Sequence, residues 1–376
     1  MIQKQYDNNK SYQRSPVPLD RDIVDDLHDP ARFQKFLGDE RYYNDYLKCF
    51  QSEIDQKGWQ HVLNEYLFAR DGRADDMLVR LYAGFLHPII HLGFGIEFQQ
   101  PAIMAEALAQ TAVHDHWMQP LFINAEKLAA ESPEKPSKSL AQLLDEVKAK
   151  PQLREAAAST NNNRIRDGIL AKEAQTMIDI VAQYRVRPEE LTEKVAEMTN
   201  ISAYFTGAAQ RRDKEVKMDF FYMHCINCSI FFDTFLTQDW LSTADKVRLL
   251  EWKGRNDVIM YASRGSPDLL LDEIRDYKPK IPSKNQQDPW QDLFARVCRF
   301  EDDGHGAKLV RALAHGQRIC EPYEDREEFV IKHADWLQLG HMAIDSVEAS
   351  DGTHWVRGCG FDAAWEKIPD RKRAQL

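Results

Sequence analysis

The sequence has no G-x-G-x-x-G segment after a strand-like run; the nearest pattern, Gly93-Phe94-Gly95, stops there. A Rossmann site for a nicotinamide or flavin dinucleotide therefore lacks support, because that fold needs glycines where the backbone meets the pyrophosphate. A P-loop and a G-x-S-x-G nucleophile elbow are also absent, which removes the signatures of NTPases and α/β-hydrolases. Six cysteines in 376 residues are too sparse for a disulfide scaffold and point to a reducing compartment, with the cytoplasm as the default. The most apolar runs, 85–98 and 225–236, are interrupted by polar residues and are shorter than the roughly 20 residues a membrane helix needs. The first fifteen residues contain no apolar core of a secretory signal. A basic excess is missing as well: Lys+Arg total 49 against 60 Asp+Glu, a net charge of -11. Nucleic acid and anionic membrane are both excluded as expected partners, since each calls for a basic surface.

What is present is helical. Hydrophobic residues make up 43% and charged residues 29%, ordinary for a globular chain. Apolar residues recur at three- and four-residue spacing in many stretches, as with Ile103, Met104, Leu108 and Val113. Helices are predicted over 40–56, 59–68, 74–85, 101–114, 139–148, 165–184, 189–207, 219–236, 243–263, 289–300, 307–315 and 328–350. Pro101 suits a first helical position, and Gly207 and Gly316 suit helix ends. Alternating strands between turn dipeptides are lacking. The expected fold is all-α, a large single-domain helical bundle spanning 1–376 with two polar insertions at 130–164 and 277–287. No fixed-period repeat suggests a solenoid.

Three constellations could carry chemistry. In LYAGFLHPIIH, His87 and His91 are four residues apart and would share one helix face, within reach of one metal ion. Pro88 disfavours helical geometry at His87, so the helix kinks or begins there. Spacing alone fits a metal pair and two core imidazoles equally. His224 is a lone imidazole in the aromatic run DFFYMHCINCSIFFDTF; it is either a ligand or a core histidine bonded to a carbonyl. Beside it, Cys225 and Cys228 read as core thiols, since a redox C-x-x-C follows a strand and a zinc site needs a second pair. In EDDGHGAKLVR the acidic pair Asp302-Asp303 suits a helix start, and His305 and Lys308 face the same way. Lys308 lies either on a solvated face with Arg311 or, if buried and carbamylated, offers a carboxylate. His114 and His116 read as helix-end caps. His28, His61, His315, His333, His341 and His354 read as structural.

The segments DDMLVRLYAGFLHPIIHLGFGIEFQQPAIMAEALAQTAVHD, KSYQRSPVPLD, GWQHVLNEYLF, EDDGHGAKLVRAL and WVRGCGFDAAWEKIP together resemble the questin oxidase-like family of fungal secondary metabolism. That family also takes in the Baeyer–Villiger-type oxidase of the aflatoxin pathway. The likeness runs over residues 6–369. It implies an oxidoreductase that uses O₂ to open a ring of an anthraquinone-type polyketide, in a family commonly described as NADPH-dependent. It also implies a histidine-ligated iron variant of this chemistry, which selects His87, His91, His224 and His305 as ligands of Fe(II), with Lys308 as an outlying fifth. Relatives begin with a further helical segment carrying an H-N-H histidine cluster, so an incomplete site is one expectation. Two other functions stay open: an NADPH-driven, metal-free oxidase of the same substrates, and a helical binding protein without catalysis.

Overall fold

In the computed structural model, the described residues are 23–371 apart from 132–133, 161, 286 and 349–351. The sequence block at residues 10–20 lies outside them. They fall into two compact units, Met1–Gln119 and Pro120–Leu376. Nearly all regular structure is helical, in accord with the all-α reading.

The first unit contains α1 (Pro30–Lys35), α2 (Tyr43–Lys57), α3 (Trp59–Leu63), α4 (Gly72–Leu81), α5 (His87–Glu97) and α6 (Pro101–Val113). Helix α6 packs along both α2 and α5. Asp71 starts α4 by accepting from the backbone N–H of Ala74 at 2.7 Å, and Met77, Leu78 and Leu81 bury its apolar face. Pro101 opens α6 as expected. Phe33, Tyr46, Phe50 and Tyr66 form an edge-to-face cluster, with Phe33 and Tyr46 ring centres 5.1 Å apart. The Arg73 guanidinium covers Tyr66 at 4.3 Å.

The second unit takes in α7 (Gln119–Ala130), α8 (Leu140–Lys148), α9 (Pro151–Ala158), α10 (Ala174–Val181), α11 (Leu191–Ala208), α12 (Phe220–Leu236) and α13 (Thr243–Ser263). It continues with α14 (Leu271–Arg275), α15 (Pro289–Val297), α16 (His305–Cys320) and α17 (His333–Glu348). Helices α11, α12 and α13 are buried over most of their length; α12 is apolar nearly all round, whereas α11 and α13 also bury polar and charged side chains. Each fully buried Leu, Ile or Phe there contributes about 1.5–3 kcal/mol. The polar centre of this core is Lys253, fully enclosed and paired with Asp257, whose carboxylate also accepts from the Ser202 hydroxyl at 2.9 Å.

Local differences from the sequence reading have physical reasons. The polar stretch 130–164 carries not only α8, predicted over 139–148, but also α9, and Leu140, Leu143, Leu144, Val147 and Leu153 of the two are buried. A capping box between Ser139 and Gln142 starts α8. Gly316 does not end a helix; α16 continues to Cys320, and a Cβ at Gly316 would collide with the Trp336 ring. Close approach, not termination, explains that glycine. Two short strands, β1 (Met218–Asp219) and β2 (Trp355–Val356), pair in parallel, Met218 with Trp355 and Asp219 with Val356. Two residues are too few for an alternating pattern to register. Among the described residues no single helix is long and apolar enough to cross a membrane; Gly72–Leu81 and Gly84–Glu97 reach that composition only as a pair bent by 67°.

Candidate functional site

Two imidazoles meet in the second unit where the first turns of α12 and α16 converge. Asp219 caps α12: one carboxylate oxygen accepts from Phe221 N–H at 2.9 Å, and the other accepts from the N–H groups of Gly358 and Cys359 at 2.6 and 3.0 Å. This single carboxylate, with the β1–β2 pairing, ties the near-terminal segment to the helix carrying His224. Asp302 does the same for α16, accepting from Gly304 N–H at 2.7 Å and Gly306 N–H at 2.8 Å. Gly304 has φ +89°, a left-handed backbone that glycine adopts without strain, and it sets the turn into His305.

The rings of His224 and His305 are 5.3 Å apart between centres, and one nitrogen of each lies within 4.8 Å of the other. Both residues are buried. His224 Nδ1–H donates to the Phe220 carbonyl at 2.7 Å. His305 Nδ1–H donates to the Asp303 carboxylate, and that donation, the largest influence on it, holds the Asp303 carboxyl below the usual carboxylate range. A neutral imidazole that donates from Nδ1 carries its lone pair on Nε2. His305 Nε2 is buried with no hydrogen-bond partner among the described residues. An N–H anchored on a carbonyl or carboxylate, with the opposite nitrogen lone-paired, is the arrangement metal-binding histidines use.

Aromatic rings enclose the pair. Phe220 lies 4.6 Å from His224 and 5.1 Å from His305, and Trp355 lies 6.3 Å from His305. The guanidinium of Arg357 sits over the Phe220 face at 4.6 Å. Lys308 follows one turn after His305. Burial, the largest influence, depresses its ammonium pKa against the opposing pull of Asp303 and Asp302. Cys225 and Cys228 are buried free thiols whose pKa values burial pushes up, in keeping with core thiols.

The other two sequence-predicted ligands belong to the first unit. His87 is the first residue of α5, with Pro88 just inside the helix, so the helix begins at this point and does not kink. The two preceding residues, Phe85 and Leu86, have φ +60° and +68°. Left-handed backbone at two bulky residues costs on the order of 1–3 kcal/mol each and commonly marks functional positions. His91 is placed differently: its Nε2 meets Glu106 at 3.1 Å on a partly exposed face. His114 is not a simple dipole cap. Its ring packs on Gly84, where a Cβ would collide with it, and burial lowers its pKa.

The sequence reading gave Asp303 only a helix-start role and did not single out Phe220, Trp355 or Arg357. A carboxylate two residues before a histidine across a glycine turn is the signal that finds Asp303. The aromatic and cationic neighbours come from distant segments that only the fold unites.

A family model described as questin oxidase-like matches residues 1–313. The chain belongs to the questin oxidase-like family. It is 41% identical over 374 residues to the Baeyer-Villiger oxidase ptaJ of Pestalotiopsis fici, covering 98% of this chain and 83% of that one. The questin oxidase of Aspergillus terreus is 38% identical over 373 residues, with 98% and 83% covered. The oxidoreductase AflY of Aspergillus parasiticus is 37% identical over 401 residues, with 98% and 80% covered. This protein is accordingly an oxidoreductase. Within the family frame, the block LYAGFLHPIIH spans the end of α4 and the strained entry to α5. The block EDDGHGAKLV is the turn and first helical residues around His305, and WVRGCG is β2 with the backbone that Asp219 grips.

Proposed function

We propose that this oxidoreductase opens a ring of an anthraquinone-like polyketide by Baeyer–Villiger-type oxygen insertion at a histidine-held iron. The observation that carries the reading is the His224–His305 pair: two buried imidazoles, each anchored through Nδ1–H, with Nε2 as the lone-paired nitrogen. His87 is the third imidazole we include, on its motif and family likeness. His91 is left out because Glu106 engages its Nε2. Ferrous iron bound by imidazoles supplies the one-electron chemistry that allows O₂ to react with a closed-shell aromatic.

This chain's own residues do the rest. Phe220 and Trp355 offer apolar faces for a planar substrate, and Arg357 sets a fixed positive charge beside them that favours an ionised phenol. Burial of the imidazoles excludes bulk water from the pair. Overall, a ring ketone, O₂, two electrons and two protons give a lactone and one water. The electrons come from an external two-electron donor such as a reduced nicotinamide. A second water then opens the lactone to a carboxylate and a phenol.

The test is turnover of a hydroxylated anthraquinone under ¹⁸O₂ with a reductant. The reading expects one labelled oxygen in the ring-opened product and at least a hundredfold loss of rate in His305→Ala. An unlabelled product, or undiminished rate in that variant, rejects it.

A further inference from the structure

A partly enclosed cavity of about 530 Å³ lies in the second unit, between the 281–284 segment, α15 and α17. That volume falls in the range of small-molecule pockets. Ile281, Pro282, Leu293 and Phe300 give it an apolar wall, and Ile281 is a large apolar side chain left more than half exposed.

The charges around it are uneven. Its lining holds three cations, Lys284, Arg296 and Arg299, and two carboxylates, Asp292 and Glu348. Both carboxylates are already engaged. Asp292 accepts the backbone N–H groups of Lys284 and Asn285 at 2.6 and 2.8 Å, and those donations hold its pKa below the usual range. Glu348 takes both Nε and an Nη of Arg296 at 2.9 and 2.5 Å, and the same guanidinium reaches Asp345 at 2.5 Å. Arg299 and Lys284 form no ion pair with any described residue, although Lys284 acts on Asp292 through space. The cavity thus offers an apolar wall and two cations without a bonded carboxylate at its rim.

We infer that this cavity binds an aromatic carboxylate: a body of two or three rings against Ile281, Pro282 and Phe300, with its carboxylate between Arg299 and Lys284. A guanidinium suits a carboxylate bidentately, and the rim position leaves both cations hydrated until the ligand arrives. A neutral quinone leaves those cations unused. The ring-opened product of the proposed reaction falls in this class, an assignment of source that rests on that reading; the binding chemistry itself does not. The cavity then serves as a holding site for acid product, separate from the imidazole pair.

The experiment is calorimetric titration of the full chain with 2-benzoylbenzoate, the simplest ring-opened benzophenone acid, and with neutral benzophenone, in the absence of reductant. One saturable site is expected for the acid, with benzophenone at least tenfold weaker. The double variant Lys284→Ala/Arg299→Ala should weaken the acid tenfold or more. Ala295→Trp, at an exposed helix position lining the cavity, should abolish binding by filling it. Equal binding of acid and neutral ketone, unchanged affinity in either variant, or absence of binding overturns the proposal. Because no turnover is involved, these outcomes are independent of the ¹⁸O₂ test.

Discussion

Replacing Asp303 by Asn probes the imidazole pair at its support and leaves both imidazoles in place. Asp303 accepts the Nδ1–H of His305 as a carboxylate, and the donation keeps it ionised. The amide keeps the shape but removes the charge that fixes the tautomer with Nδ1 protonated and Nε2 lone-paired. Loss of such a support costs a metal site roughly 10–100-fold in affinity, which is about 1.4–2.7 kcal/mol. The side chain is 62% exposed, so the fold itself should barely notice the change. The assay is anaerobic titration of Fe(II) against a competing chelator, with thermal unfolding as the control. Wild-type iron affinity in Asp303→Asn, within twofold and at unchanged Tm, refutes the reasoning that Asp303 prepares His305 as a ligand.

Other expectations concern the scaffold. Lys253→Met strands the buried Asp257 carboxylate and should cost about 3–5 kcal/mol by denaturant unfolding, whereas Lys253→Met/Asp257→Leu should recover most of that. Gly254→Ala drives a methyl into the Tyr184 ring and should lower stability by about 1–3 kcal/mol; unchanged unfolding would show that the contact relaxes freely. Burial, aided by Arg318, depresses His315 to about 4 from an ordinary 6.5. Between those values the unfolded chain binds the proton and the native state does not. Stability should therefore be full above pH 6.5 and fall towards pH 4, by at most about 3 kcal/mol. His315→Gln should flatten that limb in pH-dependent unfolding.

The helices were legible because their cause is local. Apolar spacing and caps such as Pro101 can be read directly, and the predicted 243–263 coincides with α13. Helix boundaries set by distant partners were not. Gly316 looked like a stop until Trp336 came to lie against it, and within the 130–164 stretch α9 escaped notice, beside the predicted α8, because a short amphipathic segment looks polar in composition. The site divides in the same way. His224 and His305 were found as histidines in conspicuous settings, but their pairing joins helices 85 residues apart in sequence. Trp355 and Arg357 arrive through a two-residue strand pair that leaves no pattern. His91 had the right spacing on its helix, yet Glu106, from the next helix, takes its nitrogen.

The most direct measurement is metal content. Protein reconstituted anaerobically with Fe(II) and freed of excess should hold about one iron per chain, with His224→Ala and His305→Ala, folded by circular dichroism, holding close to none. Stoichiometric iron retained in both variants, or oxygen insertion by wild-type protein that carries no iron, would contradict the account.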